Sequence, residues 1–210
     1  SERFSTHGIA ILDLCYTAPL LLTVLISLRI EVPKLARTAL VLSSLYLGFS
    51  HFLSFYARQA LQSRFVHYGF AKENIHVSPV ILFSPLRRVV ARNTQGHFIT
   101  AIYSPFAKRP PNVYRAESVS NAQVDKILKS KEGKIFSWFA NNFVLIEQQQ
   151  SEYLLIDTRY GSFSNPWYSP FIAQAPILSD GSLGKLQLAR RGREINFLEE
   201  LKLGWKNIFL

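Results

Sequence analysis

Two apolar stretches near the start of the chain constrain its fold more than any other feature. Residues 8–28 read GIAILDLCYTAPLLLTVLISL and carry a single charge, Asp13. About 20 apolar residues span a bilayer as a helix, so this stretch predicts a membrane span. A signal peptide is the alternative, but no Lys/Arg-rich start and small-residue cleavage site bracket a short apolar core. Residues 36–57 read ARTALVLSSLYLGFSHFLSFYA, a second span rich in Ser and aromatics. Arg37 sits at its edge, where a long side chain snorkels. A buried helix of a soluble domain is the other reading of this stretch. The connector RIEVPKL is short and polar and holds Pro33. Together these segments predict a transmembrane helical hairpin over 1–57. Basic residues do not orient it: Arg29, Lys34 and Arg37 on the connector side balance Arg3, Arg58 and Arg64 on the other.

From residue 58 the composition changes. Residues 58–210 hold 20 Lys/Arg against 11 Asp/Glu, a net +9 of the chain's +10. Residues 58–74 continue the second span as a connecting helix. Residues 75–82, 87–93 and 97–104 alternate as strands, with Asn93-Thr94-Gln95-Gly96 as a hairpin turn. A Pro-containing loop occupies 105–120. Helices are expected over 120–130, with Ser120 as N-cap, and over 133–142. Residues 143–150 and 152–159 form a hairpin around Ser151. A Gly/Ser/Pro/aromatic loop covers 161–180, and 183–191 reads as a strand. Residues 194–209 read as an amphipathic helix with Leu198, Leu201, Trp205 and Ile208 on one face. The expected class is α+β: a membrane hairpin followed by a basic domain, 75–210, with a mostly antiparallel sheet and helices on one face.

The chemistry is less explicit. No P-loop, GxGxxG, HExxH, GxSxG or CxxC is present. A single Cys excludes an intramolecular disulfide and a multi-Cys zinc site. In the hairpin, Asp13 and His51 fall at matching depth, roughly 8–9 Å from the same membrane face. Intramembrane ionisable groups face a partner or a wet cavity. The pair is therefore a candidate for binding metal or moving protons; a hydrogen bond gluing two helices, with Tyr16 or Ser50, is the plainer account. Basic residues cluster as Arg87, Arg88 and Arg92, as Lys126, Lys129, Lys131 and Lys134, and as Arg190, Arg191 and Arg193. Near a bilayer such charge draws anionic headgroups, at about 1 kcal/mol per residue. No nucleic-acid-binding motif is present, so nucleic acid is not the expected partner. In DTRYG, Asp157 and Arg159 stand two apart and point to one face of a strand. They form either a local ion pair or, with Tyr160, a polar binding site.

Four stretches, in order, resemble the C-terminal half of the YdjM-like family of bacterial inner-membrane proteins, described as metal-dependent hydrolases. They are RFSTHGIAILDLCYTAPLLL, VSPVILFSPLRRVV, IFSWFANNFVLIE and LLIDTRYG. Asp13 falls on the Asp of the family's membrane segment. Leu14 stands where the family has Pro, and Arg87 and Arg88 stand where it has Trp. The resemblance implies a multi-pass inner-membrane protein and a divalent metal whose ligands lie mainly in membrane segments preceding Ser1. Asp13, with His51 as partner, would contribute to that site, and hydrolysis would use a metal-activated water. The other reading is a membrane-anchored binding module whose basic domain contacts anionic lipid, a protein or nucleic acid. Arg87, Arg88, Asp157, Arg159 and Tyr160 are its candidate binding residues.

Overall fold

The structure, a computed structural model, describes residues 13–29, 33–81, 83–189 and 196–209. The clusters predicted at Arg190–Arg193 and the first residues of the 8–28 span lie outside these. Helix α1 (Leu14–Ser27) begins immediately after Asp13, which is its N-cap, so Asp13 stands at the end of the helix rather than inside it. Helix α2 (Pro33–His67) is one continuous helix of 35 residues, about 52 Å long at 1.5 Å per residue. It joins the predicted second span and connecting helix without a break. α1 packs along the first half of α2 as a helical hairpin. Of the described helices, α2 is long and apolar enough to cross a membrane.

The rest is α+β, as the sequence predicts. Strands β1 (Ile75–Val80), β2 (Phe83–Arg92), β3 (His97–Tyr103) and β4 (Val113–Glu117) form an antiparallel meander. Helices α3 (Ala122–Lys129) and α4 (Lys131–Phe139) follow. A second antiparallel meander holds β5 (Val144–Gln148), β6 (Glu152–Asp157), β7 (Ile172–Pro176) and β8 (Gln187–Ala189). Helix α5 (Phe197–Phe209) ends the described chain. Two sheets, rather than one, therefore build the domain, and each carries helices on one face.

The packing follows from residue spacing. Leu53, Ala57, Leu61 and Phe65 recur every fourth residue of α2 and form a buried stripe. Three of them meet Ile75, Val77, Val89, Ala91, Ile99 and Ala101 on the outer face of the first sheet. The alternate residues of that sheet face the second one. Phe98 and Ala116 pack there against Leu145, Leu154, Ile156 and Ile172. On the far side, Val124 and Ile127 of α3, Phe136 of α4 and Ala140 just past α4 cover Ile146, Tyr153, Leu155 and Ala173. The layers run helix, sheet, sheet, helix.

Local differences have local causes. Asn121, not Ser120, caps α3: its side chain accepts from the amides of Gln123 and Val124 at 3.0 and 2.9 Å. β4 lies within the predicted 105–120 loop, and β7 within the predicted 161–180 loop. In α5 the expected apolar face is divided. Ile208 is buried and Leu201 half-buried, but Leu198 and Trp205 are exposed. The buried side instead runs through Gly204, where a Cβ would stand within 2.8 Å of Phe83 Cδ2. Glycine lets α5 lie directly on the Phe83 ring.

Candidate functional site

The structure divides the predicted site residues among three places. The first is where the hairpin joins the domain. Asp13 is only 3% exposed. Its carboxylate accepts from the Tyr16 amide at 3.1 Å and from the Tyr46 hydroxyl at 2.9 and 3.1 Å. Arg87 is fully buried beneath α2. Its Nη2 donates to the carbonyl and hydroxyl oxygens of Ser50, both at 2.7 Å, and its Nε donates to Ser54 Oγ at 2.9 Å. Burial pushes the Arg87 guanidinium down to about 10, while Tyr46 and Asp13 act to raise it. It remains charged at neutral pH. The group is thus a buried polar lock joining α1, α2 and β2.

His51 does not complete this group. It is exposed on α2, and its Nδ1 is 2.9 Å from the Leu47 carbonyl oxygen one turn back. Equal depth in the hairpin does not bring His51 to Asp13, because the Asp13 side of α2 is occupied by Tyr46 and Ser50. Among the described residues no three His, Cys, Asp or Glu side chains gather as a metal-holding group. The Asp13 carboxylate also lies in the field of a guanidinium, which opposes a second cation. The described residues alone therefore do not assemble a divalent-metal site.

The second place surrounds DTRYG. Asp157 is fully buried. Arg159 grips it with two nitrogens, Nη2 to Oδ2 at 2.6 Å and Nε to Oδ1 at 2.9 Å, and spends another contact on the Phe139 carbonyl at 2.8 Å. Burial alone would lower the Arg159 pKa, but the hydrogen bonds and charge of Asp157 outweigh it and the net shift is upward. Burial raises the Tyr160 pKa, and its ring packs 4.8 Å from that of Phe171. Arg88 points to the opposite face of β2 from Arg87, as consecutive strand residues must. Its Nε donates to the Thr158 carbonyl at 3.2 Å and its Nη2 to the Pro166 carbonyl. Burial pushes Arg88 down to about 9, with Asp157 pulling it back. The two arginines therefore form no joint basic patch.

Gly161 completes this knot. A Cβ there would stand 2.5 Å from both Arg88 Cζ and the Pro166 carbonyl oxygen. Gly161→Ala is expected to destabilise the protein by about 1–3 kcal/mol through overpacking. Thermal unfolding in detergent checks this; an unchanged midpoint would show that Arg88 moves aside freely.

The third place was not anticipated. A cleft of about 630 Å³ opens between α2 and the loop 104–112. Arg64, Lys108 and Arg109 line it with Tyr56, Tyr103, Asn112 and Asn207, and no acidic residue does so among those described. Arg64 steadies the loop by donating to the Pro111 carbonyl at 3.3 Å. Lys108 and Arg109 are exposed. Burial raises the Tyr103 pKa, helped by Tyr56, so its hydroxyl stays a donor at neutral pH. The signal in the sequence was KRPPN at 108–112, two cations fixed ahead of two prolines. The lysines at 126, 129, 131 and 134 instead lie exposed on α3 and α4, away from the cleft.

Comparison with family models, with curated proteins and with solved structures returns no match for this chain.

Proposed function

We propose that this chain is a membrane-anchored binding module of the bacterial inner membrane, whose basic domain takes an anionic phospholipid headgroup in the cleft at the base of its hairpin. The observation that carries the reading is the height of the cleft on α2. No Asp, Glu, Lys or Arg occurs in α2 between Arg37 and Arg58. Those 20 residues rise about 30 Å, the thickness of the hydrocarbon core. From Ser50 onward one side of the helix already carries Arg87 and the first sheet, so about the last two turns of the band run at the membrane face. Leu40, Val41, Leu42, Leu45, Phe49, Phe52 and Phe55 are exposed along them. Tyr56, at the end of this band, is already a wall of the cleft. The aromatics at 52, 55 and 56 then fall where interfacial rings gather. α1 rises only about 21 Å and shares the crossing with local thinning of the bilayer. The cations of Arg29, Lys34 and Arg37 sit at the other headgroup layer. A phosphodiester entering the cleft meets Arg64, Lys108 and Arg109, with phenol and amide donors beside them.

The test is lipid retention by the whole chain in a non-ionic detergent, read by native mass spectrometry. Phosphatidylglycerol should be retained over phosphatidylcholine. Lys108→Glu with Arg109→Glu should lower that retention roughly tenfold or more, at about 1 kcal/mol for each basic residue lost. Equal retention of both lipids by the unaltered protein ends the reading.

A second reading, the C-terminal part of a metal-dependent hydrolase, is carried by the four resembling stretches alone. It agrees on the inner-membrane location. Asp13 would be one ligand of its metal, and most of the others must come from residues other than those described. Stoichiometric bound metal that is lost in Asp13→Asn would favour it over the binding module.

A further inference from the structure

We infer that α5 is an interfacial helix whose outer stripe lies in the headgroup region of the bilayer that the hairpin crosses. The inference rests on the membrane reading proposed above and adds a second contact with the same bilayer.

The rotation of α5 about its axis is fixed by its buried side. Leu201, Gly204 and Ile208 face Phe83 and Leu86. An adjoining flank, roughly 90° round the helix from the buried side, exposes Leu198 at 67%, Trp205 at 62% and Phe209 at 66%. At 3.6 residues per turn these three positions fall within roughly 40° of arc. Lys202 and Lys206, both exposed, flank the stripe on one side. A Trp/Phe/Leu stripe beside lysines is the pattern of a helix lying in a membrane interface.

The position of α5 agrees with its composition. It packs on Phe83 and Leu86, immediately before Arg87, which is bonded to α2 at Ser50. Ser104, just past β3, donates its hydroxyl to the Ile208 carbonyl at 2.6 Å. Asn207 shares the cleft with Tyr56 of α2. α5 is therefore fastened to the end of the domain from which the hairpin leaves, level with the end of the exposed apolar band. Phe106, on the loop that follows β3, is also exposed there. Continuity with the apolar hairpin and the flanking lysines select a bilayer surface, rather than a protein, as the occupant.

The experiment reconstitutes the whole chain in liposomes and compares it with Trp205→Phe. The substitution changes an exposed ring and keeps an aromatic edge for Phe83. Vesicles contain phosphatidylcholine brominated either close to the headgroup or at the chain end. The unaltered protein should show tryptophan emission quenched chiefly by the shallow bromines, and Trp205→Phe should lose most of that quenched component. If the protein floats with the vesicles but its quenching is the same in Trp205→Phe, the interfacial helix is refuted while the hairpin stands. If the protein fails to float, the membrane reading falls and this inference falls with it.

Discussion

Arg87→Ala lowers the stability of the protein by about 3–5 kcal/mol, the usual effect of breaking a buried charged network by removing one partner. For a chain of this size that is a fall in unfolding midpoint of roughly 6–20 °C. The loss exceeds that of an ordinary hydrogen bond because several groups are stranded at once. The Ser50 carbonyl and hydroxyl and the Ser54 hydroxyl each lose a charged donor. The Asp13 carboxylate, buried beside Tyr46, loses the positive charge in its neighbourhood. Arg87→Lys recovers only part of the loss, since one ammonium cannot reproduce the guanidinium fork. Combining Arg87→Ala with Asp13→Asn should be markedly non-additive, because the second change removes a charge that the first had left uncompensated. Additive losses would mean that the two residues do not share one network.

Asp157→Ala is expected to be comparably damaging, again about 3–5 kcal/mol, because it leaves the Arg159 guanidinium without its counter-charge. Arg159 is nearly enclosed, and its contacts with Asp157 tie the end of β6 to α4 through the Phe139 carbonyl. Thermal unfolding in detergent decides between the two accounts of DTRYG. An unfolding midpoint within a degree or so of the unaltered protein would mean that Arg159 is free to serve a ligand. A large drop assigns the motif to holding the fold.

How much of this was legible before the fold was known depended on the range of the interaction. Strands such as Phe83–Arg92 and Glu152–Asp157 were legible as short runs of strand-forming residues bounded by turns; both faces of each are buried, so strict alternation is not what marks them. β4 was not, because Val113–Glu117 is largely exposed and follows a Pro-rich loop, leaving little hydrophobic contrast. β7 was not, because Ile172–Pro176 relies on two alanines, Ala173 and Ala175, whose small side chains are buried beneath α3 and α4. The number of sheets is a long-range property that no local pattern carries. The same limit governs the site. Asp157 and Arg159 do pair, but not as two residues of one strand: β6 ends at Asp157 and Arg159 folds back onto it from the turn beyond. Arg87 and Arg88 look like one basic patch in sequence and serve opposite faces. The pairing of Asp13 with Tyr46 instead of His51 turns on the rotation of α2, which is set by its buried Leu53–Phe65 stripe against the first sheet.

The unbroken course of α2 has a further consequence. No proline follows Pro33 in this helix, and its buried stripe is part of the domain core. On the membrane reading the domain has no swivel: it does not sweep the surface like a weight on a string. The cleft beside Tyr56 stays at a fixed altitude, flush with one leaflet. A lipid reaches it by sideways travel within that leaflet, never leaving the film. Occupancy then follows the mole fraction of the lipid in its own leaflet, and dilution of the surrounding water leaves it unchanged.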